Sequence, residues 1–238
     1  AELQRREARL ATIAAAKARL EARQADEDRH KGRTPDDGRK GRGTKPFARD
    51  FGVPPDDAQD NFTDPESRIM KTSSGFDQCY NGQLAVDDAS QLIVATGLTN
   101  CAADNAELLP LIDQAHATLG AHAHDVLADA GYRGEATFQT LEARAITAYI
   151  SLGHEARPAK PPNPAHLATQ RMADRLASVE GRARYRRRKA IVEPVIGWIK
   201  AVLGFRCFSL RGERKARGEW NVVCLAVNLK RFHRIMMA

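Results

Sequence analysis

The stretch Asp125-Val-Leu-Ala-Asp129-Ala-Gly-Tyr132 decides the fold. Its apolar run predicts a short strand, which Asp129 closes directly before a glycine turn. A helical pattern through Phe138 and Leu141 leads from there to a second strand, predicted at residues 146–150. Because a crossover helix joins strands that run in the same direction, this strand, helix, strand unit favours parallel pairing.

Upstream of this unit the sequence predicts an antiparallel hairpin. Residues 83–87 and 91–96 have the pattern of two strands joined by a three-residue turn. Residues 104–119 carry apolar side chains at helical spacing and lead from the hairpin to the Asp129 strand. The hairpin and the parallel unit together predict an α/β fold, with a mixed sheet flanked by helices.

Three regions of unlike composition divide the chain of 238 residues. Residues 1–29 predict a polar connecting helix, with a weak coiled-coil seam as the alternative. Residues 30–60 are rich in Gly, Lys, Arg, Asp and Pro and predict a flexible basic linker. That linker either follows a nucleic-acid backbone or is a solubilising tether. Residues 61–238 form the predicted compact domain.

The charge balance favours a polyanionic partner. The chain has 37 Lys and Arg residues against 30 Asp and Glu residues, which gives a net charge of +7. The surplus is concentrated towards the carboxyl end, where residues 182–189 include six basic residues in eight. Nucleic-acid-binding, ribosomal and membrane-surface proteins share this balance, so it does not choose among them.

Cysteine usage and hydropathy predict a cytoplasmic protein. The four cysteines lack metal-ligand spacing and are predicted to be reduced thiols. No signal peptide opens the chain, and its apolar stretches are too short to span a bilayer. We therefore expect no membrane partner.

Two acidic residues in unlike settings carry the candidate chemistry. Asp129 closes a predicted strand, whereas Glu193 lies on a predicted basic helix. In-line attack on a phosphodiester needs two divalent ions about 4 Å apart, held by carboxylates on separate rigid elements. Asp129 and Glu193 can supply two of those ligands. The alternative is that Asp129 is a turn former and Glu193 a solvated helix acid.

The helix that carries Glu193 places cations beside it. At 100° per residue, Lys189 and Lys200 fall within about 40° of Glu193 around the helix axis. A surface ion pair between Lys189 and Glu193 is the alternative role of that spacing. The terminal helix is predicted to bury one apolar face, including Phe232, and to turn three cations outward: Lys230, Arg231 and Arg234.

Six segments, taken in order, resemble the DDE transposases of bacterial insertion sequences. They are distributed over most of the range 61–234: 61–70, 79–87, 127–132, 188–197, 204–206 and 210–212. The resemblance implies an RNase H-like fold in which Asp129 is the second metal-binding acid and Glu193 the third. These carboxylates would hold two Mg²⁺ (or Mn²⁺) ions, one activating water or a 3′-hydroxyl and the other stabilising the leaving oxygen.

The implied partner is double-stranded DNA, at the element ends and at the target. Donor DNA would be nicked and then joined to a target by direct transesterification. The implied location is the bacterial nucleoid, and the enzyme usually acts as a homo-oligomer. Six residues are candidate DNA contacts: Tyr185, Arg188, Lys189, Lys200, Arg206 and Arg211.

The assignments on the Glu193 helix follow the Tyr, Arg, Glu, Lys signature of many such transposases. Tyr185, Arg188, Glu193 and Lys200 are the matching residues. The interval from Arg188 to Glu193 is one residue longer than the common pattern. Arg188 and Lys189 are therefore rival phosphate contacts.

The first acid of the family is missing from this pattern. In the family it lies on the opening strand of the sheet, upstream of the hairpin, and the resemblance implies that Ala1 begins partway through a transposase. The sheet would then lack its first strand. Asp87 and Asp88 are poor substitutes because they close the first hairpin strand. A catalytically incomplete remnant that binds DNA or full-length transposase is the alternative function, and a nuclease on the same scaffold is a third.

Overall fold

The computed structural model describes residues 1–39, 45–72, 75–153 and 161–237. The chain divides into two compact units, Ala1–Cys79 and Tyr80–Ala238. Residues 61–79 belong to the first unit. The domain bounds that composition predicts, 1–29, 30–60 and 61–238, stay predictions. Part of the predicted linker, residues 40–44, and residues 154–160 lie outside the described residues.

The first unit consists of a long helix, an irregular segment and a hairpin. Helix α1 spans Glu2–His30, which confirms the predicted amino-terminal helix. Strands β1 (Arg68–Thr72) and β2 (Gly75–Cys79) pair antiparallel, with Arg68 opposite Cys79. This hairpin was not predicted from the sequence, because its strands are largely polar.

The described part of the predicted linker contains neither helix nor strand, yet ion pairs hold it against α1. The Arg33 side chain is buried, lies 2.7 Å from Asp37 and 3.4 Å from Asp28, and stacks over the ring of Phe47 at 4.1 Å. Asp60 accepts hydrogen bonds from two arginines of α1. Buried charges that are paired in this way order a segment that has few apolar residues.

The second unit opens with the predicted hairpin. Strands β3 (Asn81–Val86) and β4 (Ile93–Thr99) pair antiparallel, with an irregularity between Ala85 and Val86. Helix α2 (Leu108–Leu119) follows and ends at Gly120, whose φ of 67° suits glycine at a helix carboxyl end.

The predicted parallel unit is confirmed. Strand β5 (Asp125–Ala128) leads through a 3₁₀ turn, Ala130–Tyr132, to helix α3 (Glu135–Ala143) and strand β6 (Thr147–Ile150). The two strands pair in parallel from Asp125 opposite Thr147 to Ala128 opposite Ile150.

Three helices complete the unit: α4 (Leu167–Ala177), α5 (Val179–Ala201) and α6 (Glu213–Met236). Ser178 begins α5, and its hydroxyl accepts a hydrogen bond from the Gly181 N–H at 2.9 Å. Glu135 of α3 performs the equivalent role for α4. Its carboxylate accepts hydrogen bonds from the N–H groups of Ala168 and Thr169 and from the Thr169 hydroxyl.

The α/β class is confirmed, but the single mixed sheet needs correction. Among the described residues the strands form three separate two-stranded ladders, in which β3 pairs with β4 and β5 with β6. Side chains instead of backbone groups join β3 to the end of β5, through the Tyr132 hydroxyl and Gln83. The prediction assumed that neighbouring strands continue one ladder.

Two apolar clusters form the core of the second unit. One joins α2, α3, α4, β5 and β6 and includes the fully buried Phe138, Leu141 and Ile150. The other joins β3, β4, α5 and α6 around Trp220, with Trp198 packed against it. Two predictions for α6 are corrected. Phe232 is 51% exposed, and Arg231 is half-buried because its Nε donates to the Ser90 carbonyl at 2.5 Å.

Candidate functional site

Asp129 lies directly after β5, and its side chain is exposed. Its backbone is extended, and its Oδ1 accepts a hydrogen bond from the Gly131 N–H at 2.9 Å. This bond caps the 3₁₀ turn, and it fixes the direction in which the carboxylate points. The strand-end position predicted for Asp129 is confirmed.

A polar network behind Asp129 ties its turn to the hairpin. The Tyr132 hydroxyl donates to Gln83 Oε1, and Gln83 Nε2 donates to Asp104 Oδ1 at 2.7 Å. Asn81 Nδ2 donates to the same Asp104 oxygen at 2.6 Å. Gln83 is only 4% exposed. Its amide oxygen and its amide nitrogen both have hydrogen-bond partners, as buried polar groups normally do. The network holds the Asp129 turn in one position relative to β3.

Gly131 marks a close approach of two carboxylates. A Cβ atom at this position would lie 2.6 Å from Asp104 Oδ2 and 3.0 Å from Asp129 Oδ1. Asp104 cannot retreat without losing its hydrogen bonds to Asn81 and Gln83. The turn therefore has room for glycine only.

The Tyr132 hydroxyl lies in a negative environment. Burial raises the pKa of Tyr132, and the nearby charges of Asp104, Asp129 and Glu107 raise it further. The phenol therefore remains protonated and can donate its hydrogen bond to Gln83 across the physiological pH range.

Asp104, Asn81 and Gln83 are the site residues that sequence reasoning missed. Asp104 precedes α2 and has the pattern of a helix-start residue, which conceals its contact with β3. Its partner Asn81 lies 23 positions away along the chain. No local pattern signals a contact of this kind, because it depends on how the hairpin folds back on its own connection to α2.

Glu193 lies on the exposed face of α5. Its neighbours Ile191 and Val195 are buried, whereas Glu193, Lys189 and Lys200 are all exposed. The predicted cationic face around Glu193 therefore faces solvent. The surface ion pair between Lys189 and Glu193 stays a prediction.

Asp129 and Glu193 follow one ion pair at similar distances along their own elements. Arg184 of α5 lies 3.6 Å from Asp125, the first residue of β5. Glu193 is nine residues beyond Arg184, which is about 13 Å along a helix. Asp129 is four residues beyond Asp125, which is about 13 Å along a strand.

The shared direction of α5 and β5 follows from their contacts with the hairpin. Near the end of β3, Arg187 of α5 donates to Asp88 at 2.8 Å. Near its start, Val195 of α5 packs in the cluster with Tyr80, and Tyr132 reaches Gln83 from the end of β5. Both elements therefore run from the turn of the hairpin towards Tyr80.

Glu193 nevertheless points away from Asp129. Nine residues of helix turn roughly 180°, so Glu193 leaves α5 on the side opposite Arg184, which contacts β5. The described structure brings Asp129 together with Asp104, and it does not bring the Glu193 carboxylate to either.

Pro194 interrupts the hydrogen bonds of α5 next to Glu193. A proline has no N–H, so the carbonyl of Ala190, four residues earlier, loses its helical donor. Gln91 in the hairpin turn replaces that donor, because its Nε2 donates to the Ala190 carbonyl at 3.2 Å. The helix continues through Pro194, and its weakest turn is tied to the hairpin.

Arg188 and Lys189, the rival phosphate contacts, occupy different environments. Arg188 is half-buried, and its guanidinium lies 5.6 Å from the centre of the Tyr185 ring. Lys189 is exposed and shares the face of Glu193. The buried Tyr185 hydroxyl has no hydrogen-bond partner among the described residues. The DNA-binding roles of all three residues stay predictions.

Arg206 and Arg211 lie exposed between α5 and α6. Glu219 of α6 orders this connection, because its carboxylate accepts hydrogen bonds from the N–H groups of Ser209 and Leu210 at 2.9–3.0 Å. Burial alone would raise the pKa of Glu219, but these N–H groups outweigh it and lower the pKa.

The donor chemistry of the site suits a hard divalent cation. Asp129, Asp104 and Glu193 offer carboxylate oxygens, the ligands that Mg²⁺ and Mn²⁺ prefer. In the part of the chain that the structure describes, no three His, Cys, Asp or Glu side chains converge as a complete metal site. A metal here would be held first by Asp129.

The sequence matches a known family over most of its length. Residues 63–229 match the family model described as the Transposase DDE domain. The chain belongs to this transposase family. The match includes Asp129, Glu193 and all six candidate DNA contacts. Comparisons with curated proteins and with solved structures gave no match.

Among the described residues, no helix of this transposase-family chain is long and apolar enough to cross a bilayer.

Proposed function

We propose that this protein catalyses Mg²⁺-dependent (or Mn²⁺-dependent) DNA strand cleavage and strand transfer for the movement of an insertion sequence. The observation that carries the proposal is the match to the Transposase DDE domain family over residues 63–229. Its proposed scaffold is RNase H-like, which the β3–β4 hairpin and the β5–α3–β6 parallel unit support.

Asp129 and Glu193 are the proposed catalytic residues and metal ligands. Asp129 has a fixed direction because Gly131 holds one of its oxygens. Divalent ions, when bound, would activate the attacking oxygen and stabilise the leaving oxygen. Glu193 would join the site if the turn of α5 around it opened, and Pro194 supports this step because it weakens the helix at the adjacent residue.

The proposed substrate is double-stranded DNA at the element ends and at the target. The exposed cations that share the Glu193 face would contact phosphates, and the ordered connection carrying Arg206 and Arg211 would extend that contact. The proposed location is the bacterial nucleoid. Phosphate contacts position the DNA without reading its sequence.

A nicking assay tests the proposal. The substrate is DNA that carries the ends of the flanking element, and the protein is assayed with Mg²⁺ both as this chain and as a version extended upstream through an acidic strand. We expect Asp129→Ala and Glu193→Ala to reduce cleavage by on the order of 10³-fold. Cleavage that survives both substitutions would refute the assigned roles.

A binding-only protein is the second candidate function. The observation that favours it is the orientation of Glu193, which leaves α5 on the side away from β5. Such a remnant would bind DNA or full-length transposase without cleavage. It predicts salt-dependent DNA binding by both versions of the chain and no Mg²⁺-dependent nicking by either version.

A further inference from the structure

Helix α6 has an apolar stripe on its exposed side as well as on its buried side. Trp220, Cys224 and Val227 are buried and face β3, β4 and α5. On the other side, five large apolar side chains are between 51% and 82% exposed: Val222, Leu225, Leu229, Phe232 and Met236. A helix on the surface of a monomer normally has one apolar face and one polar face.

The spacing of the exposed stripe is that of a coiled-coil seam. The intervals from Val222 to Met236 are three, four, three and four residues. This alternation keeps side chains on one line along a helix and lets them interdigitate with a second helix. Scattered exposed apolar residues are ordinary on proteins, but five residues at this spacing form a continuous strip.

We propose that this stripe is the interface between two copies of the chain, which pair through α6 in antiparallel orientation. At roughly 100 Å² of apolar surface for each side chain, the five residues offer about 500 Å² per copy. Two copies would bury about 1,000 Å², which reaches the lower limit for a specific interface before any flanking contacts are counted.

Charge favours the antiparallel orientation. The carboxyl-terminal half of α6 carries three basic residues, Lys230, Arg231 and Arg234, and no acidic residue. The amino-terminal half carries three basic residues against two acidic ones, Glu213 and Glu219. A parallel pair would place the two more cationic ends side by side, whereas an antiparallel pair places each of them beside the less charged end and so reduces the repulsion.

Side-chain size fits the same orientation. With the twofold axis near residue 227, Leu225 faces Leu229 of the second copy and Val222 faces Phe232 of the second copy. Met236 then faces Gly218, an exposed glycine with no atom within 4 Å of the position of a Cβ. The glycine leaves a notch in line with the stripe, and the long flexible methionine fills it.

Sedimentation of the full chain without DNA tests the interface. We expect a concentration-dependent dimer that Leu225→Glu weakens by about 100-fold or more, because the twofold axis doubles the effect of each substitution. Leu119→Glu is the matched control. Leu119 and Leu225 are both 56% exposed, but Leu119 lies at the end of α2 and is not part of the stripe. Circular dichroism confirms that both variants fold.

Cysteine cross-linking tests the orientation. In a background where the exposed Cys101 and Cys207 are replaced by Ser, Val222→Cys protein is mixed with Phe232→Cys protein under mild oxidation. Antiparallel pairing predicts a mixed disulfide dimer in excess over dimers of either variant alone. The reverse result would overturn the antiparallel arrangement.

Other occupants of the stripe give distinct outcomes. A wild-type chain that remains monomeric at all concentrations, or a dimer that Leu225→Glu leaves unchanged, overturns the proposal. Monomeric protein that binds anionic phospholipid vesicles, and loses that binding in Leu225→Glu, would instead identify a membrane surface as the partner. The proposal requires no catalytic activity, so it stands or falls independently of the nicking assay.

Discussion

The two proposed acids lie in regions that are built in opposite ways. Asp129 belongs to a turn that is fixed by Gly131 and by the hydrogen bonds among Tyr132, Gln83 and Asp104. Glu193 is an exposed side chain on a helix, next to a proline. One half of the candidate site is therefore ordered in advance, whereas under the proposed function the other half would acquire its working geometry when metal and DNA bind.

Metal binding gives the largest expected difference between the two regions. We expect Asp129→Asn to abolish Mn²⁺ binding in the absence of DNA, and Glu193→Gln to change that affinity by less than about threefold. The reason is that only Asp129 is held in place before DNA arrives. Titration followed by the Mn²⁺ electron paramagnetic resonance signal measures both affinities. Equal losses in the two variants would show that the acids already act together.

The next largest difference is the effect on stability of replacing a glycine by alanine in each region. Gly131→Ala pushes a Cβ atom against Asp104 and Asp129, and we expect it to lower the free energy of unfolding by about 1–3 kcal/mol. Gly197→Ala on α5 is the matched control, because nothing lies within 4 Å of its Cβ position. There we expect a gain of about 0.5–1 kcal/mol from helix propensity. Urea denaturation measures both, and equal signs would contradict the described crowding at Gly131.

Two tyrosines sharpen the comparison further. Tyr132→Phe removes the hydroxyl that donates to Gln83, so we expect a loss of about 1 kcal/mol in unfolding free energy. Tyr185→Phe removes a hydroxyl that lacks a hydrogen-bond partner among the described residues. We expect no loss there, because removing an unsatisfied buried group costs nothing. Thermal unfolding of both variants checks the contrast, which fails if Tyr185→Phe is the less stable protein.

The smallest expected effect is the pH-dependent contribution of Glu135 to stability, at the contact between α3 and α4. The Thr169 hydroxyl and two backbone N–H groups lower the pKa of Glu135 to about 2, against an ordinary value of 4.5. A lowered pKa means that this stabilisation is complete above pH 4.5 and is lost as the pH falls towards 2. We expect Glu135→Gln to melt about 2–4 °C below wild type at pH 7. The gap should close in acid; a gap independent of pH would exclude the carboxylate as its cause.

The elements that sequence predicted are those with local periodicity. In the β3–β4 hairpin and the β5–α3–β6 unit, each strand has a clear apolar pattern and pairs with a strand that is close in the sequence. The β1–β2 hairpin was missed because Arg68–Thr72 and Gly75–Cys79 carry little apolar alternation. One continuous sheet was wrongly expected, because ladder continuity depends on the placement of whole strands and not on any one pattern.

The candidate site divides in the same way. Asp129 was predicted because a strand end and a following glycine are adjacent in the chain. Asp104 and Gln83 were not, because their contact depends on tertiary packing of distant segments. Phe232 was wrongly placed in the core, since an apolar residue on α6 fits either of two apolar faces and periodicity alone does not choose between them.

Because of Pro194, the free energy needed to open the backbone hydrogen bonds of α5 differs from one part of the helix to another. A helix with an unbroken hydrogen-bond ladder loses protection of its amides gradually from its ends. Here the ladder is one bond short at Ala190, and the substitute donor is the half-buried side chain of Gln91 in the hairpin turn. In hydrogen exchange we expect the amides before Ala190 and those after Pro194 to become labelled as two separate blocks, with different rates. Glu193 lies at the junction of these blocks, so opening of the first block frees it to turn while Val195 and Ile199 stay packed in the core.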